Sequence, residues 1–244
     1  MINSVIEKLR GGLIVSCQAP ASSPLDDPYI ISALALTAEQ NGAAGVRINT
    51  PAHIAATKLR VTVPIIGIEK VVTEQSDVYI TPAFDVARRV SMSGANIVAI
   101  DATRRPRPNG EKPKDLIRQI QAELQRPVMA DVSTYDEGIY AADCGAEIIA
   151  TTLCGYTAET SGSELPAFDL LERLAARLDV PVICEGGVAS PDQVRRAFDC
   201  GAFAVVAGMA ITGVGQRVQQ FVAACKRSDR RSDRRSDLWM RGGW

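Results

Sequence analysis

The sequence predicts an α/β protein, a (β/α)8 TIM barrel, and three observations carry that prediction. Four times a Gly-Ala or a near copy leads into an apolar burst: Gly42-Ala-Ala-Gly-Val-Arg-Ile48, Gly94-Ala-Asn-Ile-Val-Ala-Ile100, Gly145-Ala-Glu-Ile-Ile-Ala150 and Gly201-Ala-Phe-Ala-Val-Val206. Between these come Pro-led runs, Pro64-Ile-Ile-Gly-Ile68, Pro127-Val-Met-Ala130 and Pro181-Val-Ile-Cys184, and Gly12-Leu-Ile-Val-Ser-Cys17 precedes them all. Each of these eight runs is too short for a helix and reads as a strand buried on both faces, while the stretches between them carry helical periodicity. Eight βα units in sequence have the size and order of a closed barrel.

The elements follow in order. After the first strand, Ala19 to Pro28 is a loop, and the Asp26/Asp27 pair can cap a helix with Pro28 at its first position. That helix runs to Asn41, with Ile30, Ile31, Leu34 and Ala38 on one face. The second strand ends at Arg47-Ile-Asn-Thr50, and Pro51 opens the next helix. The third ends at Ile68-Glu-Lys70 and is followed by a long insertion, Val71 to Pro82; long βα loops on a barrel serve the active-site face. The fourth ends at Ile100-Asp-Ala-Thr103, before a basic, turn-rich loop, Arg104 to Gly110. The fifth gives Ala130-Asp-Val-Ser-Thr134, where Ser133 or Thr134 caps a helix. The sixth gives Ala150-Thr-Thr-Leu153 and a long polar loop to Pro166. The seventh gives Cys184-Glu-Gly-Gly187, with Ser190-Pro-Asp192 capping a helix, and the eighth gives Ala207-Gly-Met-Ala210. One barrel domain over residues 1–227 is therefore expected. The repeat of alternating charge that begins at Ser228-Asp-Arg-Arg sets off residues 228–244 as a solvated low-complexity tail.

Composition narrows the function classes. With 46% apolar and 23% charged residues the chain has ample material for a core, and a net charge of −1 argues against a nucleic-acid or membrane surface as its partner. The six cysteines show no C-x-x-C spacing and read as buried free thiols of a reducing cytoplasm. Met1 to Arg10 lacks the apolar centre of a signal peptide, and no apolar run reaches the roughly 18 residues of a membrane span, so a cytoplasmic protein is expected. A homodimer stays open.

On such a barrel the chemistry sits where the strands end. Those positions are Gln18, Arg47, Lys70, Asp101, Asp131, Thr151/Thr152, Glu185 and Gly208, a polar ring carrying both signs of charge. Gly186, Gly187 and Gly208 suggest a phosphate cradle of backbone N–H groups, because glycine lets the backbone approach closely and helix N-termini attract anions. The one histidine, His53, cannot build a multi-histidine metal site and reads as structural; no metal is expected. No Gly-x-Ser-x-Gly elbow, Walker A or Gly-x-Gly-x-x-Gly motif follows a strand. Lysine and carboxylate remain for proton chemistry. Lys70 can act as a base if burial and Arg47 lower its pKa, or as a Schiff-base amine, and Glu185 can move a hydroxyl proton or hold the lysine. A salt bridge between the two across the mouth is the structural alternative.

At this point the chain resembles a known family. Gly12-Leu-Ile-Val-Ser-Cys-Gln18, Gly45-Val-Arg-Ile-Asn49, Pro64-Ile-Ile-Gly-Ile-Glu-Lys70, Val78-Tyr-Ile-Thr-Pro82, Ile100-Asp-Ala-Thr103, Ala130-Asp-Val-Ser-Thr134, Ala150-Thr-Thr-Leu-Cys-Gly-Tyr-Thr157 and Cys184-Glu-Gly186 are similar to the N-acetylmannosamine-6-phosphate 2-epimerase family. The resemblance implies an isomerase on a ribulose-phosphate-binding-like barrel. It would interconvert N-acetylmannosamine 6-phosphate and N-acetylglucosamine 6-phosphate without a cofactor, in sialic acid catabolism. The family's catalytic lysine and glutamate fall on Lys70 and Glu185, and its sugar-binding positions on Gln18, Arg47, Asp131 and Thr152. The chain departs from the family at Gly213, where an arginine that helps hold phosphate is usual, at Gly187, and at Val71-Val72-Thr73 after the lysine. Phosphate affinity would then be weaker, or be supplied by the Arg104–Arg107 loop. Two other readings of the residues remain: a Schiff-base lyase or aldolase, and a phosphosugar-binding protein without catalysis.

Overall fold

In the computed structural model, which describes residues 2–225, the eight apolar runs become eight parallel strands paired in sequence order, with the last closing on the first. A single-turn helix α1 (Ser4–Glu7) comes first, then β1 (Leu13–Cys17), α2 (Pro28–Gln40), β2 (Gly45–Asn49), α3 (Pro51–Lys58) and β3 (Ile65–Ile68). The next units are α4 (Phe84–Met92), β4 (Ile97–Asp101), α5 (Pro113–Gln119) continued by a π-helical turn (Ile120–Leu124), and β5 (Val128–Asp131). They are followed by α6 (Tyr135–Asp143), β6 (Ile148–Ala150), α7 (Phe168–Arg177), β7 (Val182–Cys184), α8 (Pro191–Asp199), β8 (Ala204–Ala207) and the single turn α9 (Met209–Thr212).

Local chemistry explains where the helices start. Asp27, Thr50 and Ser190 each cap a helix whose first residue is proline, so side-chain oxygens take orphan N–H groups that the proline does not compete for. At α6 the cap is Thr134, which closes a reciprocal capping box with Glu137. The buried face of α2 is carried by Ile31 and Ala35, with Ile30 and Leu34 only partly covered, one residue round from the expected stripe.

The pleat sorts the core into two layers. Val15, Val46, Ile65, Val98, Val128, Ile149, Val182 and Val205 face out and meet the helices. The alternate residues Ile14, Ile66, Ile68, Ile97, Ala99, Met129, Ile148, Ile183 and Val206 fill the barrel interior. The N-terminal end of that column is closed by Ile6 and Leu9, and a Cβ on Gly45 would come within 2.6 Å of the Leu9 side chain, so glycine leaves Leu9 its seat.

The described residues up to Thr212 form one compact unit, and those from Gly213 to Cys225 belong to a second. In the second, α10 (Val214–Cys225) has no buried residue, and its Val214, Val218, Phe221 and Val222 are all exposed. The segment 228–244, expected to be a tail, lies outside the described residues. No helix among the described residues is long and apolar enough to cross a membrane. All six cysteines are free; four are buried, Cys200 is half-buried and Cys225 is exposed, so the expectation of buried thiols fails for those two.

Candidate active site

The interior parity that fills the barrel also points the site residues inward. Counting by twos from the interior apolar positions, Ile14 leads to Ser16 and Gln18, Gly45 to Arg47 and Asn49, and Ile68 to Lys70. In the same way Ala99 leads to Asp101, Met129 to Asp131, Ala150 to Thr152, Ile183 to Glu185 and Val206 to Gly208. The polar ring is therefore the top layer of the interior column.

Arg47 is the centre of that layer. Its side chain is 1% exposed, and its guanidinium donates through Nη1 and Nη2 to both carboxylate oxygens of Asp131 at 3.0 and 2.6 Å. Nη1 also donates to Glu185 at 2.7 Å. Thr152 adds its hydroxyl to Asp131 at 2.6 Å, and Thr151 holds the Glu185 backbone by accepting from its N–H and donating to its C=O. A buried cation that must serve two carboxylates needs this geometry, because an unpaired ion here would cost several kcal/mol, on the order of 3 to 5. Desolvation pushes the Glu185 carboxyl up to about 7, with nearby Asp131 adding to the shift and Arg47 opposing it. Glu185 thus bonds to Arg47, and among the described residues no salt bridge joins it to Lys70, so the structural alternative of a Lys70–Glu185 pair does not form here.

Lys70 stands two residues beyond β3, on a small hairpin that the sequence presented only as an insertion. Lys70 bridges antiparallel to Ile80, and Thr73 to Ser76. The Lys70 N–H donates to the Asn49 side chain at 3.0 Å, and Thr81 brackets Glu69, donating its N–H to the Glu69 C=O and accepting the Glu69 N–H on its hydroxyl. Thr50 and Thr81 hold positive φ angles of 73° and 45°, uncommon for β-branched residues and a sign of backbone held under constraint on both sides of the lysine. The ammonium is open to the mouth yet ringed by barrel atoms, so desolvation first, and Arg47 second, lower its pKa. Asn49 and Thr81 escaped the sequence reading; the signal for Asn49 was its inward parity two residues after Arg47.

The β4 end carries its own cluster. Asp101 is fully buried and accepts from the Thr103 N–H and hydroxyl and from Arg105 Nη2 at 2.7 Å. Arg107 is buried as well and donates to the carbonyls of Pro82 and Asp101. Two arginines of the basic loop are thus committed to β4, which stands opposite β8 in the ring.

Across the mouth, Gly186 and Gly187 have φ of +108° and +73°, and Gly208 lies against Ser16, where a Cβ would come within 3.2 Å. Gln18 donates to the Ser16 hydroxyl at 2.8 Å and is half-buried beside it. Burial pushes the thiols of Cys17 and Cys184 up to about 12, which keeps them protonated and poor nucleophiles. His53 is buried in the first turn of α3, 3.7 Å from Asp26, and lies outside the ring. Among the described residues no group of three or more His, Cys, Asp or Glu side chains is arranged to hold a metal ion.

Comparison with known proteins gives the site a context. Residues 31–227 match the family model described as "Putative N-acetylmannosamine-6-phosphate epimerase". A protein of Synechococcus elongatus described as "Putative N-acetylmannosamine-6-phosphate 2-epimerase" is 51% identical over 221 residues, covering 90% of this chain and 95% of its own. A relative of the same description from Cutibacterium acnes is 44% identical, over 85% of this chain and 91% of that one. Among solved structures, the N-acetylmannosamine-6-phosphate 2-epimerase from Clostridium perfringens superposes with a TM-score of 0.87 at 39% identity, covering 91% of this chain and 96% of that chain.

Proposed function

The chain belongs to the N-acetylmannosamine-6-phosphate epimerase family, and from that membership we propose that it interconverts N-acetylmannosamine 6-phosphate and N-acetylglucosamine 6-phosphate. The observation that carries the reading is an amine of lowered pKa facing, across one barrel mouth, a carboxyl raised to about 7. An acid and a base displaced towards neutrality from opposite sides are what proton transfer at neutral pH requires.

The proposed steps use only the chain's own groups. Glu185 shuttles the proton between ring oxygen and C1 hydroxyl as the sugar opens to its aldehyde. Neutral Lys70 then takes the C2 proton: the C–H bond breaks, and its electron pair becomes the enolate, with charge on the former aldehyde oxygen. Donors of the top layer stabilise that oxygen in a partly dry site. A proton drawn from solvent at the open mouth then bonds to the opposite face of C2 and gives the epimer, Lys70 releases the proton it took to solvent, and ring closure reverses the first step. No electrons leave the substrate, so the sequence balances without a cofactor. Arg47 serves by fixing Asp131 and Glu185, Gln18, Asp131 and Thr152 by facing the sugar hydroxyls, and Gly186, Gly187 and Gly208 by offering backbone N–H groups to the phosphate.

The finer points belong to the same reading. A barrel domain reaching to 227, a cytoplasmic setting, a role in amino-sugar breakdown, and a homodimer supported by the exposed apolar residues of α10 complete it. The test is proton NMR of the purified protein with N-acetylmannosamine 6-phosphate in deuterated water, which reads turnover and C2 exchange together. Formation of C2-deuterated N-acetylglucosamine 6-phosphate supports the reading; neither exchange nor product sinks it.

A further inference from the structure

Next to Lys70 on the same hairpin is a side chain that the proposed steps leave unused. Tyr79 pairs with the lysine's neighbour, its C=O accepting the Val71 N–H at 2.9 Å. Its half-buried ring packs on the apolar cluster that fills the barrel. The phenol lies in the field of Asp131, Asp101, Arg105 and Arg47, and it hydrogen-bonds to none of the described residues. Desolvation, then Asp131 and Asp101, raise its pKa, so the hydroxyl keeps its proton across the working range and can donate.

Arg105 completes the wall. Its Nε donates to the Thr103 hydroxyl at 3.0 Å and its Nη2 to Asp101, which locks the guanidinium with one edge held and Nη1 without a partner among the described residues. The β3 hairpin and the β4 end are joined by the Asp101 N–H donating to the Ile80 C=O at 2.8 Å, which brings the Tyr79 phenol into the field of Asp101 and Arg105.

We propose that Tyr79 reads the acyl group of the substrate, its hydroxyl donating to the amide carbonyl on C2 and its ring receiving the methyl. The inference rests on the proposed epimerase reading. There, C2 must meet the Lys70 amine, and the acylamino group is bonded to C2 itself. The carbonyl oxygen then lies within a few bonds of the lysine, on the wall where Tyr79 stands. A neutral donor suits a neutral amide acceptor, and an apolar ring bedded on the barrel core suits a methyl group. Tyr79 would thus set the preference for 2-acylamino sugars over sugars that carry another group at C2.

The test compares two ligands with wild-type protein and Tyr79→Phe, which keeps the ring and removes the donor. N-acetylglucosamine 6-phosphate should bind the variant about three- to tenfold more weakly, as expected for a lost neutral hydrogen bond. Inhibition by 2-deoxyglucose 6-phosphate, which has no C2 substituent, should not change. Equal weakening of both ligands would mark Tyr79 as a scaffold residue, and no change in either would remove it from the site; both results overturn the proposal. A second measurement needs no variant: the wild-type protein should bind the thioacetamido analogue, a poorer acceptor, more weakly than the acetamido compound, and equal affinity would count against the donor. Wild-type protein that neither binds nor turns over the acetamido sugar would bring down the epimerase reading itself. Turnover without discrimination would bring down only the role of Tyr79.

Discussion

The two ends of the barrel interior are built from the same alternating positions and filled with opposite chemistry. At the N-terminal end Ile6 and Leu9 are 1% and 0% exposed, and Arg10 lies over the Phe203 ring, 4.5 Å from its centroid. At the C-terminal end Arg47, Asp101 and Asp131 are buried to the same degree, and each is held in a salt bridge. Apolar residues at such positions stabilise by leaving water; ions there must be paired merely to break even. The contrast teaches that the upper layer is held at a cost in stability, which is the expected signature of a site kept for chemistry.

Mutations can break that comparison. The largest expected effect is on catalysis: Lys70→Ala should slow C2 hydrogen exchange by about two to four orders of magnitude, or to background, while thermal unfolding moves little because the side chain is exposed. Full exchange in this variant would end the role given to Lys70. Next comes Arg47→Met, which leaves Asp131 and Glu185 facing each other without their cation. It should cost about 3–5 kcal/mol in denaturant unfolding, and much of that should return when Asp131→Leu is added. Leu9→Ala at the opposite end should cost a similar or smaller amount, about 2–5 kcal/mol, yet leave kcat of the folded protein unchanged. A matching loss of kcat would show that the two ends are not independent.

The smallest effect concerns pH. Glu185 is raised in the folded state to about 7 from an ordinary carboxyl value of 4.5, so between those values the native state holds the proton that the unfolded chain releases. Its contribution to stability is therefore full at acid pH and declines as pH rises from about 4.5 to about 7. Glu185→Gln should remove that declining limb from a plot of unfolding free energy against pH. It should also remove the limb near pH 7 from the kcat/KM profile. A profile unchanged in shape would assign the ionisation to another group.

Much of the fold was legible because its signals are local. The short β-branched runs, and the Asp27-Pro28, Thr50-Pro51 and Ser190-Pro191 starts, each state their conformation within a few residues. The ring of strand-end residues was legible as well, including the fall in the Lys70 pKa caused by burial and Arg47. Three features were not. The N-terminal plug depends on a glycine more than thirty residues further along, since Leu9 fits only where Gly45 lacks a side chain. The hairpin bearing Lys70 and Tyr79 has too few paired residues to make a pattern. The continuous apolar runs also hid the inward parity that selects Asn49 along with Arg47.

By itself, then, the sequence determined the number and order of the βα units, the ends of the strands, and which ionisable residue types stand there. Only the tertiary structure decided their partners: Arg47 reaches Asp131 and Glu185, which are 84 and 138 positions away along the chain. The reason is physical. Propensity and capping act over a turn or two of chain, whereas the choice of ion pair is settled when the ring closes and sets strands β2, β5 and β7 around one dry centre.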